Sequence, residues 1–224
     1  MRFLYQHWLS PDCRAVRVVC EEKRLDYEVR VEKTWERRPE FLALNPAAEV
    51  PVLVEPDGTV VAGALPICEY LEEIAFDADL PLLGTAPAGR AEVRRLVNWF
   101  GQKFAREVTT LLLSEKIDKL FMGRGEPDSD AIRAGKKNLG PHLDYIAFLT
   151  ERRRWLAGEH YSLADIVAAT QICCLDYLDD VPWDKYEGAR DWYARIKSRP
   201  SFQPLLADSI PGLPPPKHYA DLDF

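Results

Sequence analysis

The residues of this 224-residue chain best suited to chemistry stand near its start, in Ser10-Pro11-Asp12-Cys13. The spacing is that of a C-x-x-C redox site with its first cysteine replaced by serine. Thiol–disulfide exchange needs the exposed, low-pKa thiol at the first position, and that is the one missing. Cys13 is therefore expected to face the core, where a free cysteine behaves as a small hydrophobe. Ser10-Pro11 also reads as a helix start, with Ser as N-cap and Pro at the first helical position. His7 and Trp8 lie close enough to line a cleft beside Ser10. The remaining histidines, His142, His160 and His218, show no ligand spacing, so no metal site is expected. Glu21-Glu22 and Asp179-Asp180 have no evident partner for acid–base work and are read as surface.

A second stretch, Asn45 to Gly58 (NPAAEVPVLVEPDG), organises the first part of the chain. Pro51 to Val54 reads as a strand, and Pro56-Asp57-Gly58 supplies turn chemistry: Pro presets φ, Asp bonds its own backbone and Gly takes φ > 0. Thr59 to Ala62 then returns antiparallel. Val50-Pro51 opens the strand. Pro has no N–H for a ladder, so it belongs at a strand start or edge. A trans edge-strand proline and a cis bond that leaves a peptide edge exposed both fit the spacing. An exposed edge would be a ready partner for another peptide backbone.

Two further places could recognise a partner. Trp35, flanked by Lys33, Arg37 and Arg38, has hot-spot composition; packing on an inter-domain seam fits equally well. Arg152-Arg153-Arg154 is a second basic cluster, read as a solvated helix end. At the other end of the chain, Pro214-Pro215-Pro216 favours extended polyproline geometry. His218, Tyr219, Asp221, Asp223 and Phe224 follow, a mixture of anchors and acids suited to a docking segment. The alternative is that Tyr219 and Phe224 fold back on the body of the protein.

These residues must be held by elements, and the sequence outlines them. Arg2 to Gln6 reads as a short buried strand. The helix from Ser10 carries Val16, Val19 and Cys20 on one face, with Arg14, Arg17, Glu21 and Lys23 elsewhere. Tyr27 to Val31 is a second strand, Arg38 to Leu42 a short helix, and Ala64 to Ala75 a third helix. The order β-α-β-α-β-β-α gives an α/β domain over 1–80. Asp77 to Gly89 has linker composition, centred on 81–89. Beyond it the period is helical. Val93, Leu96, Val97, Phe100, Phe104, Val108, Leu111 and Leu112 share one stripe. Ile132 to Leu149 marks another helix with Gly140-Pro141 inside it. Ser162 to Asp165 has the form of a capping box opening an apolar helix to Leu178. Asp191 to Lys197 follows, then a short helix from Ser201-Phe202. The all-helical domain spans 90–206, and an extended tail 207–224.

Composition bounds the function. A hydrophobic content of 47% supports a sizeable core. A net charge of −7 argues against a nucleic-acid binder, which needs clustered positive charge. The five cysteines, Cys13, Cys20, Cys68, Cys173 and Cys174, form no disulfide framework and suit a reducing cytoplasm. No signal-like or bilayer-spanning apolar run is present, so direct membrane insertion is not expected.

Taken in order, SPDCRAVR at Ser10 to Arg17, EVPVLV at Glu49 to Val54, EYLEE at Glu69 to Glu73, SLADI at Ser162 to Ile166 and RPSF at Arg199 to Phe202 resemble the glutathione S-transferase superfamily over about residues 1–206. The resemblance implies a thioredoxin-like N-terminal domain, a helical C-terminal domain and a cis Val50-Pro51 bond. It also places Ser10 where the family keeps its catalytic Ser or Cys, at a helix N-terminus that stabilises a thiolate. Ser10 as a simple cap is the competing reading. The family's Glu-Ser pair for the γ-glutamyl end of glutathione falls on Gly63-Ala64. Losing such charge-assisted bonds costs about 1.5–3 kcal/mol each, or roughly one to two decades of affinity. Asp12 further opposes a thiolate by like charge. The expectation is a vestigial pocket at Ser10, Val50, Pro51, Gly63 and Ala64, no cofactor, and weak or absent glutathione binding. The whole chain, tail included, is most similar to a bacterial offshoot of the family associated with cell division. That likeness implies a cytoplasmic homodimer that binds and bundles or curves filaments of the tubulin-like GTPase FtsZ. The alternative is an active glutathione-dependent transferase or isomerase that uses Ser10.

Overall fold

The computed structural model describes residues 1–77 and 80–222. Strand β1 (Phe3–Gln6) leads into α1 (Pro11–Glu22), β2 (Glu28–Val31), a 3-10 turn at Thr34–Glu36, α2 (Pro39–Leu44), β3 (Val52–Val54), β4 (Val60–Ala62) and α3 (Ala64–Ile74). The four-stranded sheet has the order β2-β1-β3-β4. β1 runs parallel to β2 (Phe3 opposite Glu28) and antiparallel to β3 (Phe3 opposite Val54). This is the thioredoxin-like arrangement. β1 is half-buried rather than wholly buried: Leu4 and Gln6 point inward, and Phe3 and Tyr5, on the other face, are only partly buried. All of β2 is exposed, as befits a short edge strand.

The turn before β4 forms as its residues dictate. Asp57 Oδ1 accepts from the Thr59 N–H at 2.9 Å, and Gly58 takes φ 91°. The Val50-Pro51 bond is cis.

The connection after α3 is less free than its composition suggests. Leu82 and Leu83 are buried, and the Leu82 carbonyl accepts from the Leu163 N–H at 2.8 Å. Helix α4 (Pro87–Asn98) starts with Pro in its first turn, inside the stretch read as linker. It continues without a break through π-turns at Trp99–Thr109, α5 (Thr110–Leu113), further π-turns at Ser114–Asp118, and α6 (Lys119–Met122). The buried Phe100, Phe104, Val108 and Leu112 repeat every four residues. On a 3.6-residue turn such a stripe drifts by about 40° per step; wider turns oppose that drift and keep it on the core.

Helix α7 (Ser129–Thr150) carries Pro141 inside it. Helix α8 (Leu163–Tyr177) is buried on every side, and its Ser162–Asp165 capping box forms in both directions. Helices α9 (Glu187–Lys197) and α10 (Gln203–Leu206) complete the helical unit. α1 packs on α3 and, across the domain boundary, on α8, so one hydrophobic cluster runs through both units.

Candidate functional site

The N-terminus of α1 opens on a cavity of about 440 Å³ between the two units. The chain after β1 (His7 to Asp12) and the Ala48–Val50 loop form one wall. Thr109, Leu113, Ile117, Asp118 and Gln171 from the helical unit form the other. Ser10 lies at the junction as the N-cap, its Oγ accepting from the Cys13 N–H at 3.3 Å. Cys13 faces the core, and burial pushes its thiol up to about 12.

An aromatic group rims the cavity. His7 meets Trp35 edge-on at 5.1 Å, and Trp8 lies 5.2 Å from Phe121 of α6. His7 Nε2 is buried without a hydrogen-bond partner, and burial lowers the His7 pKa, so the ring is neutral at pH 7. The cavity is otherwise acidic. Asp12, Glu49 and Asp118 line it, and none forms an ion pair among the described residues. The cleft walls raise the Asp12 pKa although its side chain reaches solvent, and the neighbouring Glu49 adds to the effect. Burial also raises Asp118, against the pull of Arg124.

At Val50 the backbone N–H and C=O make no backbone hydrogen bond among the described residues, while the Pro51 carbonyl accepts from the Gly63 N–H at 3.0 Å. Gly63 takes φ 91° as the N-cap of α3, and Ala64 is the first residue of that helix. A smaller cavity of about 300 Å³ adjoins them, bordered also by Asp12, Leu65 and Val97. The side chains at 63 and 64 present neither donor nor acceptor to it.

The expected partner-binding residues separate into two places. Trp35 is half-buried and packed on His7, which lines the main cavity. Arg37, in the left-handed region at φ 47°, and Arg38 are exposed beside it. Arg38 is also tied to the buried Glu32, with Nε 3.2 Å from Oε1 and Nη2 2.5 Å from Oε2. The tail lies elsewhere and is not extended throughout. Ile210 and Leu213 form a tight bridge, and Lys217–Ala220 is a 3-10 turn.

Tyr219 is fully buried, which corrects its assignment as a surface contact: of the two possibilities for the tail, folding back is the one adopted. His218 Nε2 sits 3.3 Å from Asp176 Oδ1, and Asp221 is exposed. Asp223 and Phe224 lie outside the described residues.

The receiving site for Tyr219 is the main feature that sequence reasoning missed. Arg14 and Arg17 are buried against α8 and the tail. Arg14 Nη1 donates to Tyr219 Oη at 2.7 Å and to Cys173 Sγ at 2.9 Å. Arg17 grips Asp208 through two bonds, at 2.7 and 3.0 Å. No local signal marks these arginines, because their partners lie some two hundred residues away. Asp180 is also buried, held by Lys116 at 2.6 Å and Lys136 at 2.7 Å, so it is not a surface residue.

A thioredoxin-like sheet domain joined to a buried-helix bundle, with a cis-proline loop facing the N-terminus of α1, defines the glutathione S-transferase class of fold. The chain belongs to the glutathione S-transferase family: its N-terminal domain model matches residues 9–74 and its C-terminal domain model residues 114–200. The chain is 46% identical to FtsZ-localized protein A of Caulobacter vibrioides (strain NA1000 / CB15N), over 100% of this chain and 98% of that protein. Among solved structures, a glutathione S-transferase from Rhodospirillum rubrum F11 superposes with a TM-score of 0.97 at 55% identity, covering 100% of both chains. FzlA from C. crescentus superposes with a TM-score of 0.95 at 46% identity, over 100% of this chain and 99% of that one. No helix among the described residues is long and apolar enough to cross a membrane.

Proposed function

We propose that this protein is a non-catalytic, transferase-fold cell-division factor that binds FtsZ filaments as a homodimer, bundles or curves them and so influences constriction. The observation that carries this reading is the full-length, 46% likeness to FtsZ-localized protein A. The site supports it. Gly63 and Ala64 offer no side-chain bonds for the γ-glutamyl end of glutathione, and the cavity is lined by Asp12, Glu49 and Asp118 where an anionic tripeptide would lie. Trp35, packed on His7, and the exposed Arg37 and Arg38 beside it form the contact surface of this reading. The apolar side chains of Val60, Leu65, Ile74 and Phe76 are exposed on and beside β4 and α3 and suit a face shared between two copies. A dimer gains avidity on a repeating polymer from two individually weak contacts.

The test is co-sedimentation with polymerised FtsZ. The native chain pellets with filaments, and Trp35→Ala pellets substantially less. A native chain that stays in the supernatant at every concentration refutes the reading. A second reading keeps the transferase reaction, because Ser10 Oγ borders the cavity at a helix N-terminus. Rapid conjugation of a model electrophile to glutathione, abolished by Ser10→Ala, would establish it instead.

A further inference from the structure

Strand β2 ends the sheet, and its outer edge has no neighbouring strand among the described residues. Its inner edge is fixed by β1. The Glu28 N–H donates to the Arg2 carbonyl at 2.9 Å, and the Glu32 N–H to the Gln6 carbonyl at 2.8 Å. Along a strand the backbone groups of successive residues point to opposite edges. Glu28, Arg30 and Glu32 therefore face β1, and Tyr27, Val29 and Val31 turn their N–H and C=O outward. Those of Tyr27 make no backbone hydrogen bond among the described residues. An open edge of this kind is a template for another strand.

Two features fit this edge to a second copy of the same chain. The first is charge. Glu28 and Arg30 share one face of the strand, with Oε1 and Nε 3.7 Å apart. The Arg30 guanidinium lies 3.4 Å from the centre of the Phe3 ring and donates to the Tyr5 hydroxyl at 3.3 Å, which holds it on that face. Charges on a free edge ordinarily keep strands apart. Here they are opposite in sign and flank Val29. An antiparallel pairing about a two-fold at Val29 sets Glu28 against the partner's Arg30, and Arg30 against the partner's Glu28. A two-fold at Glu28 or at Arg30 would set like charge on like.

The second feature is the ladder. Val29 is one of the outward-facing residues. The same two-fold therefore makes Val29 with Val29, and Tyr27 with Val31, the hydrogen-bonded pairs, each exchanging both of its bonds. On the other face of the strand, Val29 and Val31 are 38% and 46% exposed and would cover each other's neighbours. Tyr27 and Val29 border a shallow depression with Arg24 and Leu25, where the partner's Val31 would lie. The next pair outward, Asp26 opposite Glu32, adds little repulsion, because Glu32 is buried and tied to Arg38.

We infer that β2 is a self-association edge, through which two copies of this chain pair antiparallel over Glu28–Val31 and join their sheets about a two-fold at Val29. The contact is short and so weak, with a Kd on the order of 0.1–1 mM. It acts where copies are held close together. β4 is the opposite edge of the sheet, so this pairing leaves the β4 and α3 face free and does not depend on the filament reading.

The experiment is sedimentation equilibrium of the full chain from about 10 μM to about 2 mM. The weight-average mass of the native chain should rise across this range, toward about twice its low-concentration value. Glu28→Arg and Arg30→Glu should each abolish the rise. A mixture of the two, or the double variant, should restore it. Val29→Pro removes an N–H that β1 does not use, so it should keep the fold and lose the rise. Should it fail to fold by circular dichroism, the charge series carries the test. Register is read by cross-linking, since every native cysteine is buried. Glu28→Cys mixed with Arg30→Cys should form a disulfide-linked pair at least about fivefold faster than either variant alone. A mass that stays constant to about 2 mM overturns the inference and leaves the edge to a strand of another protein. So does a rise that the single charge reversals or a folded Val29→Pro leave unchanged, or a double variant no better than the singles. Cross-linking no faster in the mixture than in its parts also overturns it.

Discussion

Replacing Tyr219 with Phe tests whether the C-terminal tail is part of the folded body. The substitution keeps the ring, which packs against Tyr177 at a centroid distance of 5.0 Å, and removes only the hydroxyl. That hydroxyl accepts from Arg14 at 2.7 Å and donates to the Leu205 carbonyl at 3.0 Å. A bond to a charged group contributes about 1.5–3 kcal/mol and a neutral one about 1 kcal/mol, and each loss leaves a buried group short of a partner. Arg14 keeps Cys173 and an ion pair with Asp208 at 3.3 Å, which softens the loss. The expected destabilisation is about 2–3 kcal/mol, equivalent to a fall of about 5–10 °C in Tm for a chain of this size.

Urea unfolding of native, Tyr219→Phe, Arg14→Met and double-variant proteins measures the coupling. Tyr219→Phe should cost little in the Arg14→Met background, because its charged partner is then gone. Limited proteolysis should clip the tail of Tyr219→Phe sooner than that of the native chain. A change under about 0.5 kcal/mol with an unaltered clipping rate would refute the reasoning, since it would mean that the buried arginine does not depend on the tail. The point bears on function. Deleting residues 214–224 uncovers Arg14, so loss of partner binding by the deleted protein would not by itself identify the tail as a contact surface.

The remaining predictions concern the core. Trp99 Nε1–H donates to His142 Nδ1 and the opposite ring nitrogen faces Glu107, each at 3.1 Å, so the buried ring is held as the neutral Nε2–H form. Burial lowers the His142 pKa, and that of His7 in the same direction; the folded state therefore resists protonation, and stability should be full above about pH 6.5 and fall as the pH drops below it. The urea midpoint should decline between pH 7.5 and 5.5 less steeply in His142→Gln than in the native chain. Asp165 is completely buried and accepts from Leu156 N–H, Ser162 N–H and Trp192 Nε1–H at 3.0–3.1 Å; Asp165→Ala should cost about 3–5 kcal/mol and sharply reduce soluble, cooperatively unfolding protein. All five cysteines are buried, with Cys13 and Cys20 each pushed up to about 12; a thiol reagent at pH 8 should label the native chain only as fast as it opens and all five positions in urea, and rapid native labelling would contradict the packing.

Local features of the fold were readable from residues because their physics is local. The serine and aspartate of the capping box stand three apart and bond each other. The Pro-Asp-Gly turn contains its own hydrogen bond. Ser10-Pro11 starts a helix with no help from elsewhere. Charge burial is a different matter. A helical pattern puts Arg14 and Arg17 outside the stripe of Val16, Val19 and Cys20, yet α1 is covered on its second side by α8 and the tail. The decisive partners, Asp208 and Tyr219, meet α1 only after the whole chain has folded. Asp180 escaped for the same reason, since Lys116 and Lys136 reach it from two other elements. At the candidate site, Ser10, His7 and Trp8 were placed at one cleft by proximity in sequence. Asp118 and Gln171 joined it from the helical unit without any spacing signal.

The way the cleft is built explains how it could lose a ligand without losing its shape. Its walls are held by contacts internal to the protein: Ser10 caps α1, the Gly63 N–H bonds the Pro51 carbonyl, and Cys174 Sγ donates to the Leu9 carbonyl at 3.2 Å. Only the first of these bonds uses a side chain that the family gives to its ligand, and there Ser10 serves as a cap with or without one. At φ 91°, position 63 favours glycine over a residue with a Cβ by about 1 kcal/mol, so lacking a carboxylate there carries no penalty in stability. Selection on the fold and selection on the ligand are thus separable at this site. A family member can therefore lack the groups that grip glutathione and still keep a cavity of about 440 Å³.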